Sequence, residues 1–224
     1  MHQIIDHPLL LRLQQQRRGG IFFHIRQHFV TGQHAFAHPV PGRAADLQSR
    51  LPLFPNGLYL NLNLSPENCL DPRFESDVVA LMQKLAPVQV QLVIEITERR
   101  PLHFTPQLSE WFAALRKSNI AVALDDFGTG YSNLCYLHAL EPEFIKIDKL
   151  FVSQIGEGGD TRIVDTLIEL AQKMGLRMIA EGVETEELAN LLRIFHCDEI
   201  QGYWLARPMS AEQMEAFLRD RMLG

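Results

Sequence analysis

The chain has 224 residues, 46% of them hydrophobic, enough to bury one sizeable core, and its composition argues against disorder. A net charge of −6 without a long Lys/Arg run argues against nucleic acid held by phosphate electrostatics, while a small phosphate ligand needs only one local site. Cys69, Cys135 and Cys197 are odd in number and far apart, which argues against a disulfide framework or a zinc knuckle and for reduced core thiols.

No apolar stretch reaches the length of a membrane span, and the opening MHQIIDHPLLLRLQQQRRGG lacks the order of a signal peptide, so a cytoplasmic protein or a piece of a larger one is expected. Residues 1–19 read as an N-terminal helical segment, with Gln14 to Arg18 as a solvated helix face ending at Gly19-Gly20. Residues 20–224 read as one domain. Segments 21–25 and 34–40, with Val30-Thr31-Gly32-Gln33 between them, read as an antiparallel pair. Residues 41–57 hold Pro41, Pro52 and Pro55 and one short helical candidate, 44–51.

Beyond this point short β-branched or apolar runs at 58–62, 90–97, 120–125, 144–148, 177–181 and 199–203 alternate with helical periodicity. The clearest helix is 161–174, with Ile163, Val164, Leu167, Ile168, Ala171 and Met174 in one stripe and Gly175 as its stop. Alternation of this kind predicts an α/β fold with parallel strands. Eight strands with crossover helices suggest a closed barrel, with an open doubly wound sheet as the alternative.

Polar residues sit at the downstream end of strand after strand: Asn63, Glu95 with Thr97, Asp125 with Asp126, Lys146 with Asp148, Glu181 and Gln201. In a parallel barrel these ends converge on one face, where active sites of such barrels are built. Facing carboxylates repel unless cations neutralise them, and carboxylate and amide oxygens are ligands for magnesium or manganese. Asp125 and Asp126 suit two neighbouring ions, an arrangement that clamps the attacking and leaving oxygens in phosphodiester hydrolysis. Lys146 would then orient the attacking group or offset charge on the transition state.

Taken singly, each residue reads as well as a cap or turn residue. Lys146 as a Schiff-base nucleophile is a further alternative, which borohydride trapping would test, but neighbouring carboxylates would hold the amine protonated. Asp126-Phe127-Gly128 lacks the companion motifs of a kinase, and His24, His28, His34 and His38 match no compact zinc spacing.

The segments NLNLS, EIT with Glu98, ALDDFGTGYSNLCYL, FIKIDKLFV, IAEGVET and QGYWLARPM run in the order seen in EAL domains, and the chain resembles that family from about Leu58 onward. The resemblance implies a TIM-like barrel with one antiparallel strand, and hydrolysis of cyclic di-GMP to pGpG with two Mg²⁺ or Mn²⁺ ions. By the same resemblance Asn63, Glu95 and Asp125 are ligands of one ion, and Asp125 and Asp126 of a second. Lys146, Glu181 and Gln201 resemble the residues positioning water and the second metal. Thr97, Asp148 and Glu184 resemble supporting residues, Glu98 resembles the glutamate that steadies the loop after Asp126, and in the family that loop, here Phe127 to Ser132, lies at a dimer interface.

The chain departs from the family early. With Thr31-Gly32 aligned to the turn before the first catalytic strand, His38-Pro39-Val40 falls where Glu-Ala-Leu stands, and the two helices after it shorten to residues 41–57. The nearby arginine that helps to hold a substrate phosphate is also missing, with Arg43 close by. Neutral histidine suits magnesium poorly. The expected outcomes are a phosphodiesterase of reduced or manganese-dependent activity, or a degenerate barrel that binds cyclic di-GMP or a protein partner without cutting.

Overall fold

The computed structural model describes residues 10–16, 21–26, 59–64, 78–80, 82–83, 91–97, 105–129, 134–155, 161–209, 213 and 216–217. Eight strands close into a barrel in chain order: β1 (Leu10–Gln16), β2 (Ile21–Arg26), β3 (Tyr59–Leu64), β4 (Gln91–Thr97), β5 (Ala121–Phe127), β6 (Phe144–Ile147), β7 (Arg177–Glu181) and β8 (Glu199–Gln201). From β2 to β8 each neighbouring pair is parallel, and β1 runs antiparallel to both β2 and β8. The α/β barrel expected from the alternation is therefore present.

Two N-terminal expectations change. Residues 10–16, read as helix, form β1, and the antiparallel neighbour that the structure gives to β2 is β1. The expected partner segment 34–40 and the candidate helix 44–51 lie outside the described residues. The physical reason is closure: without β1 the edges of β2 and β8 would each present unpaired backbone N–H and C=O groups. Elsewhere the expected strands differ by a residue or two at their ends.

Helices α1 (Pro106–Lys117), α2 (Leu134–Leu140), α3 (Lys149–Ile155), α4 (Arg162–Met174) and α5 (Glu186–Ile194) follow β4 to β7 and cover the sheet. Each longer helix has local reasons to start and stop. In α1 the Thr105 hydroxyl accepts from the Leu108 N–H at 3.2 Å, Pro106 opens the first turn, and Arg116 and Lys117 lie at the negative end of the dipole. In α5 the Thr185 hydroxyl caps Leu188 at 3.2 Å, with Glu186 and Glu187 in the first turn. Helix α4 ends at Gly175, whose φ of 71° is the left-handed cap conformation that glycine adopts without steric cost.

The predicted stripe of α4 is narrower than its sequence suggests: Val164, Ile168 and Ala171 are buried, whereas Ile163 and Met174, at its margins, are exposed. Outward-facing Leu60, Leu62, Ile94, Ile96, Val122, Leu124, Ile145 and Ile147 pack with Leu108, Phe112 and the other helix stripes in the main core. Each such side chain, fully buried, contributes about 1.5–3 kcal/mol. No helix among the described residues is long and apolar enough to cross a membrane.

Candidate active site

Because side chains alternate along a strand, every second residue enters the barrel. On β3 that series is Tyr59, Asn61 and Asn63; on β4 Gln91, Val93, Glu95 and Thr97; on β5 Ala121, Ala123 and Asp125. It continues as Phe144 and Lys146 on β6, Arg177, Ile179 and Glu181 on β7, and Glu199 and Gln201 on β8. Lower in the interior Val93, Ala121, Ala123, Phe144, Ile179 and Tyr59 form one apolar cluster, beside the polar Asn61, Arg177 and Glu199. The last inward residue of each strand from β3 to β8 is polar, so the chemistry gathers at the C-terminal mouth.

Lys146 is the centre of this group. It is about 1% exposed and its Nζ lies 3.0 Å from Glu95 Oε1, 2.9 Å from Asp125 Oδ1 and 2.6 Å from Glu181 Oε1. Three strands thus aim carboxylates at one ammonium. Burial acts to lower its pKa, but Asp125, Glu181 and Glu95 outweigh burial and hold it well above the ordinary lysine value. A permanently charged amine is a poor Schiff-base nucleophile, which counts against the aldolase-type alternative.

Glu95 responds in the opposite sense. Burial drives its carboxyl up to about 8, Lys146 opposes that, and Asp125 and Glu181 reinforce it. The group therefore holds a proton at neutral pH unless further positive charge arrives. Asn61 Nδ2 donates to Glu95 Oε1 at 3.0 Å. The same spacing that singles out Asn63 puts Asn61 on its face, two residues earlier in Asn61-Leu62-Asn63, a signal present in the sequence that attention to strand ends passes over.

Asp125 and Asp126 are neighbours, and a regular strand would point them to opposite faces. The ladder between β5 and β6 shifts register between Leu124 and Phe127, and Asp126 has φ 57°. This bulge brings both carboxylates to the mouth. It is pinned by the Asp126 N–H donating to Asp125 Oδ1 at 3.1 Å, by Thr129 Oγ1 donating to the Asp126 carbonyl at 2.8 Å, and by Thr97 Oγ1 facing Asp126 Oδ2 at 3.4 Å.

The β7 and β8 loops are stitched together. The Val183 N–H donates to the Gln201 carbonyl at 3.1 Å and the Trp204 N–H to the Val183 carbonyl at 3.0 Å. A Cβ at Gly182 would meet Lys149, and one at Gly202 would meet the Val183 backbone, so only glycine lets these segments approach. Asp148 is buried and caps α3, its Oδ1 accepting from the Leu150 N–H at 2.7 Å. Glu184 is exposed on the loop after β7, apart from the buried cluster. Glu98, Ser132, His38 and Arg43 lie outside the described residues, as do the side chains of His24, His28 and His34.

Asp125, Asp126 and Glu181 each offer an oxygen within 4.8 Å of the others. Asn63 Nδ2 and Gln201 Oε1 are buried without a hydrogen-bond partner among the described residues. Hard oxygen donors, an excess of acid over the single Lys146 and the orphaned Gln201 amide oxygen fit a divalent cation such as magnesium or manganese. Cys197, in contrast, is buried and inert: its thiol faces the carbonyls of Met178 and Glu199 at 3.5 and 3.2 Å, and burial pushes it up to about 12.

Fold and site together define an α/β barrel with an acidic, cation-type centre at its C-terminal mouth. The chain belongs to the EAL domain family, which it matches over residues 32–208. Cyclic di-GMP phosphodiesterase PdeL of Escherichia coli strain K12 is 41% identical over 158 residues, covering 70% of this chain and 44% of that protein. The chain spans less than half the length of the first curated relatives that it matches. Among solved structures, the EAL domain of Mycobacterium smegmatis DcpA superposes with a TM-score of 0.80 at 28% identity, covering 98% of both chains. A manganese and cyclic di-GMP complex of Klebsiella pneumoniae BlrP1 at pH 9.0 superposes at 0.70 with 26% identity, covering 92% of this chain and 57% of that one.

Proposed function

We propose that the domain hydrolyses cyclic di-GMP to linear pGpG. The observation that carries this reading is the buried Lys146 ammonium held by carboxylates from three strands, with Asp126 beside them, at the barrel mouth. The names of the curated relatives supply the substrate. We assign Asn63, Glu95 and Asp125 to one divalent ion and Asp125 with Asp126 to a second, either magnesium or manganese. When bound, the two ions neutralise the acidic cluster, polarise the scissile phosphate and acidify the attacking water.

The remaining work falls to protein groups. Lys146 holds Glu95, Asp125 and Glu181 in place and offsets the negative charge that builds on the phosphate in the transition state. Glu181 and Gln201 orient the water. Thr97 and Asp148 are supporting residues, steadying the Asp126 bulge and the start of α3; Glu184 and Glu98 support the neighbouring loops. His38, standing where the family's glutamate is expected, weakens one ion site and makes turnover slower or better supported by Mn²⁺ than by Mg²⁺.

The barrel, with β1 (Leu10–Gln16) as part of it, acts as one domain, in the cytoplasm. Pairing of two copies runs through the loop after Asp126 and the 148–152 region, where Gly128 packs on Phe151. A monomer in light scattering at high concentration would count against that pairing. Turnover is tested by incubating purified protein with cyclic di-GMP and Mg²⁺ or Mn²⁺ and following pGpG by chromatography. Release of pGpG is expected; cyclic di-GMP binding with no pGpG under either ion would make the domain a receptor and overturn the reading.

A further inference from the structure

Resting on that reading of the site, we infer that Asn61 is a positioning residue for the metal centre, acting through Glu95. Asn61 is only 4% exposed and lies one layer below the mouth, on the same face of β3 as Asn63. Its strand is in register with β4 such that Asn63 stands opposite Glu95 and Asn61 opposite Val93. From that lower layer Asn61 Nδ2 reaches up to Glu95 Oε1 at 3.0 Å, the same oxygen that Lys146 Nζ approaches at 3.0 Å.

Two donors converging on one oxygen from different strands fix the plane of the carboxylate, and with it the direction of Oε2. Removing one of the two donors loosens the restraint on its last torsion, which is broad and shallow in glutamate. Neighbouring inward positions of the same lower layer are apolar, Val93, Ala123 and Ile179. A buried amide among them is costly unless its hydrogen bonds are made, so its placement under a ligand is a function of position rather than of packing. Outer partners of this kind orient metal ligands, and their removal typically lowers metal affinity about 10–100-fold.

The test is calorimetric titration of Mn²⁺ into the purified protein and into Asn61→Leu, which keeps the branching at Cγ and removes the donor. The expected result is saturable binding by the parent chain and an affinity at least about tenfold weaker in the variant. At saturating Mn²⁺ the variant is expected to recover its turnover with an unchanged KM for cyclic di-GMP, a split that general loosening of the barrel would not give. Asn61→Ser, which relieves packing while removing the same reach, is the second variant should Asn61→Leu fail to fold. Equal Mn²⁺ affinity in a folded variant would overturn the positioning role alone. Absence of Mn²⁺ uptake by the parent chain would instead overturn the reading of the site on which it rests.

Discussion

At the N-terminal end of the barrel Arg177 meets one buried carboxylate, Glu199, donates to the Tyr59 hydroxyl at 3.0 Å and lies over the Phe144 ring at 4.8 Å. At the C-terminal end Lys146 meets three carboxylates, with Asp126 beside them. Among the described residues both ends hold a cation on successive strands, Lys146 on β6 fully buried and Arg177 on β7 partly buried, but only the Arg177 end is balanced. One positive charge against one negative, closed by aromatic rings, is a plug that holds the barrel together. One positive charge against several negatives is a site that awaits further cations.

The largest expected effect belongs to the acidic end. Asp125→Asn removes the charge assigned to both ions while preserving shape, and turnover of cyclic di-GMP is expected to fall on the order of a thousandfold or more. The circular dichroism spectrum should stay unchanged. Undiminished hydrolysis in this variant would break the comparison at once.

Removing the cation at either end leaves buried carboxylate behind, at a cost of about 3–5 kcal/mol in each case. The two losses should differ in their response to metal. In Lys146→Met added Mn²⁺ recovers part of the loss in thermal midpoint, because the ions replace the missing positive charge. In Arg177→Met Mn²⁺ gives no more stabilisation than it gives the parent chain. Scanning calorimetry with and without Mn²⁺ distinguishes them.

A pH series sharpens the same point. Glu95 in the folded, metal-free chain titrates near 8, raised by burial above an unfolded value near 4.5. Its protonated form therefore contributes stability that is complete below about 4.5 and is lost as pH rises through about 8. The metal-free midpoint is expected to fall across that window by roughly 5 °C or more, at the 2–4 °C per kcal/mol usual for this size. Mn²⁺ should offset the fall most at the alkaline side, where Glu95 has released its proton, and Glu95→Gln should flatten the profile.

The smallest effect is at Cys197, which precedes β8 near the plugged end. With its thiol raised to about 12, roughly one molecule in ten thousand carries a thiolate at pH 8. Mass spectrometry after iodoacetamide treatment should find Cys197 unmodified in the native chain and alkylated after denaturation. Rapid native labelling would show that this end opens.

Much of the acidic end was legible because the barrel turns strand position into spatial position. Asn63, Asp125, Lys146, Glu181 and Gln201 each stand last among the inward residues of a strand, Glu95 stands one inward position before Thr97, and a linear reading of strand ends finds them. What it misses has three physical causes. Leu10 to Gln16 is too short and too polar for periodicity to separate helix from strand, and only closure of the barrel decides in favour of β1. The positive φ of Asp126 and its bulge are backbone features with no side-chain pattern of their own. Asn61 and the Arg177–Glu199 pair obey the same period of two as the site residues, but in lower layers, where a search confined to strand ends does not look.

The most direct test is calorimetric titration of Mn²⁺ into the parent chain and into Asp125→Asn at pH 8. Saturable uptake of up to two ions per chain is expected of the parent, with its loss or severe weakening in the variant. No uptake by the parent, or the same isotherm in both, would contradict the claim that the excess acid around Lys146 is a metal centre.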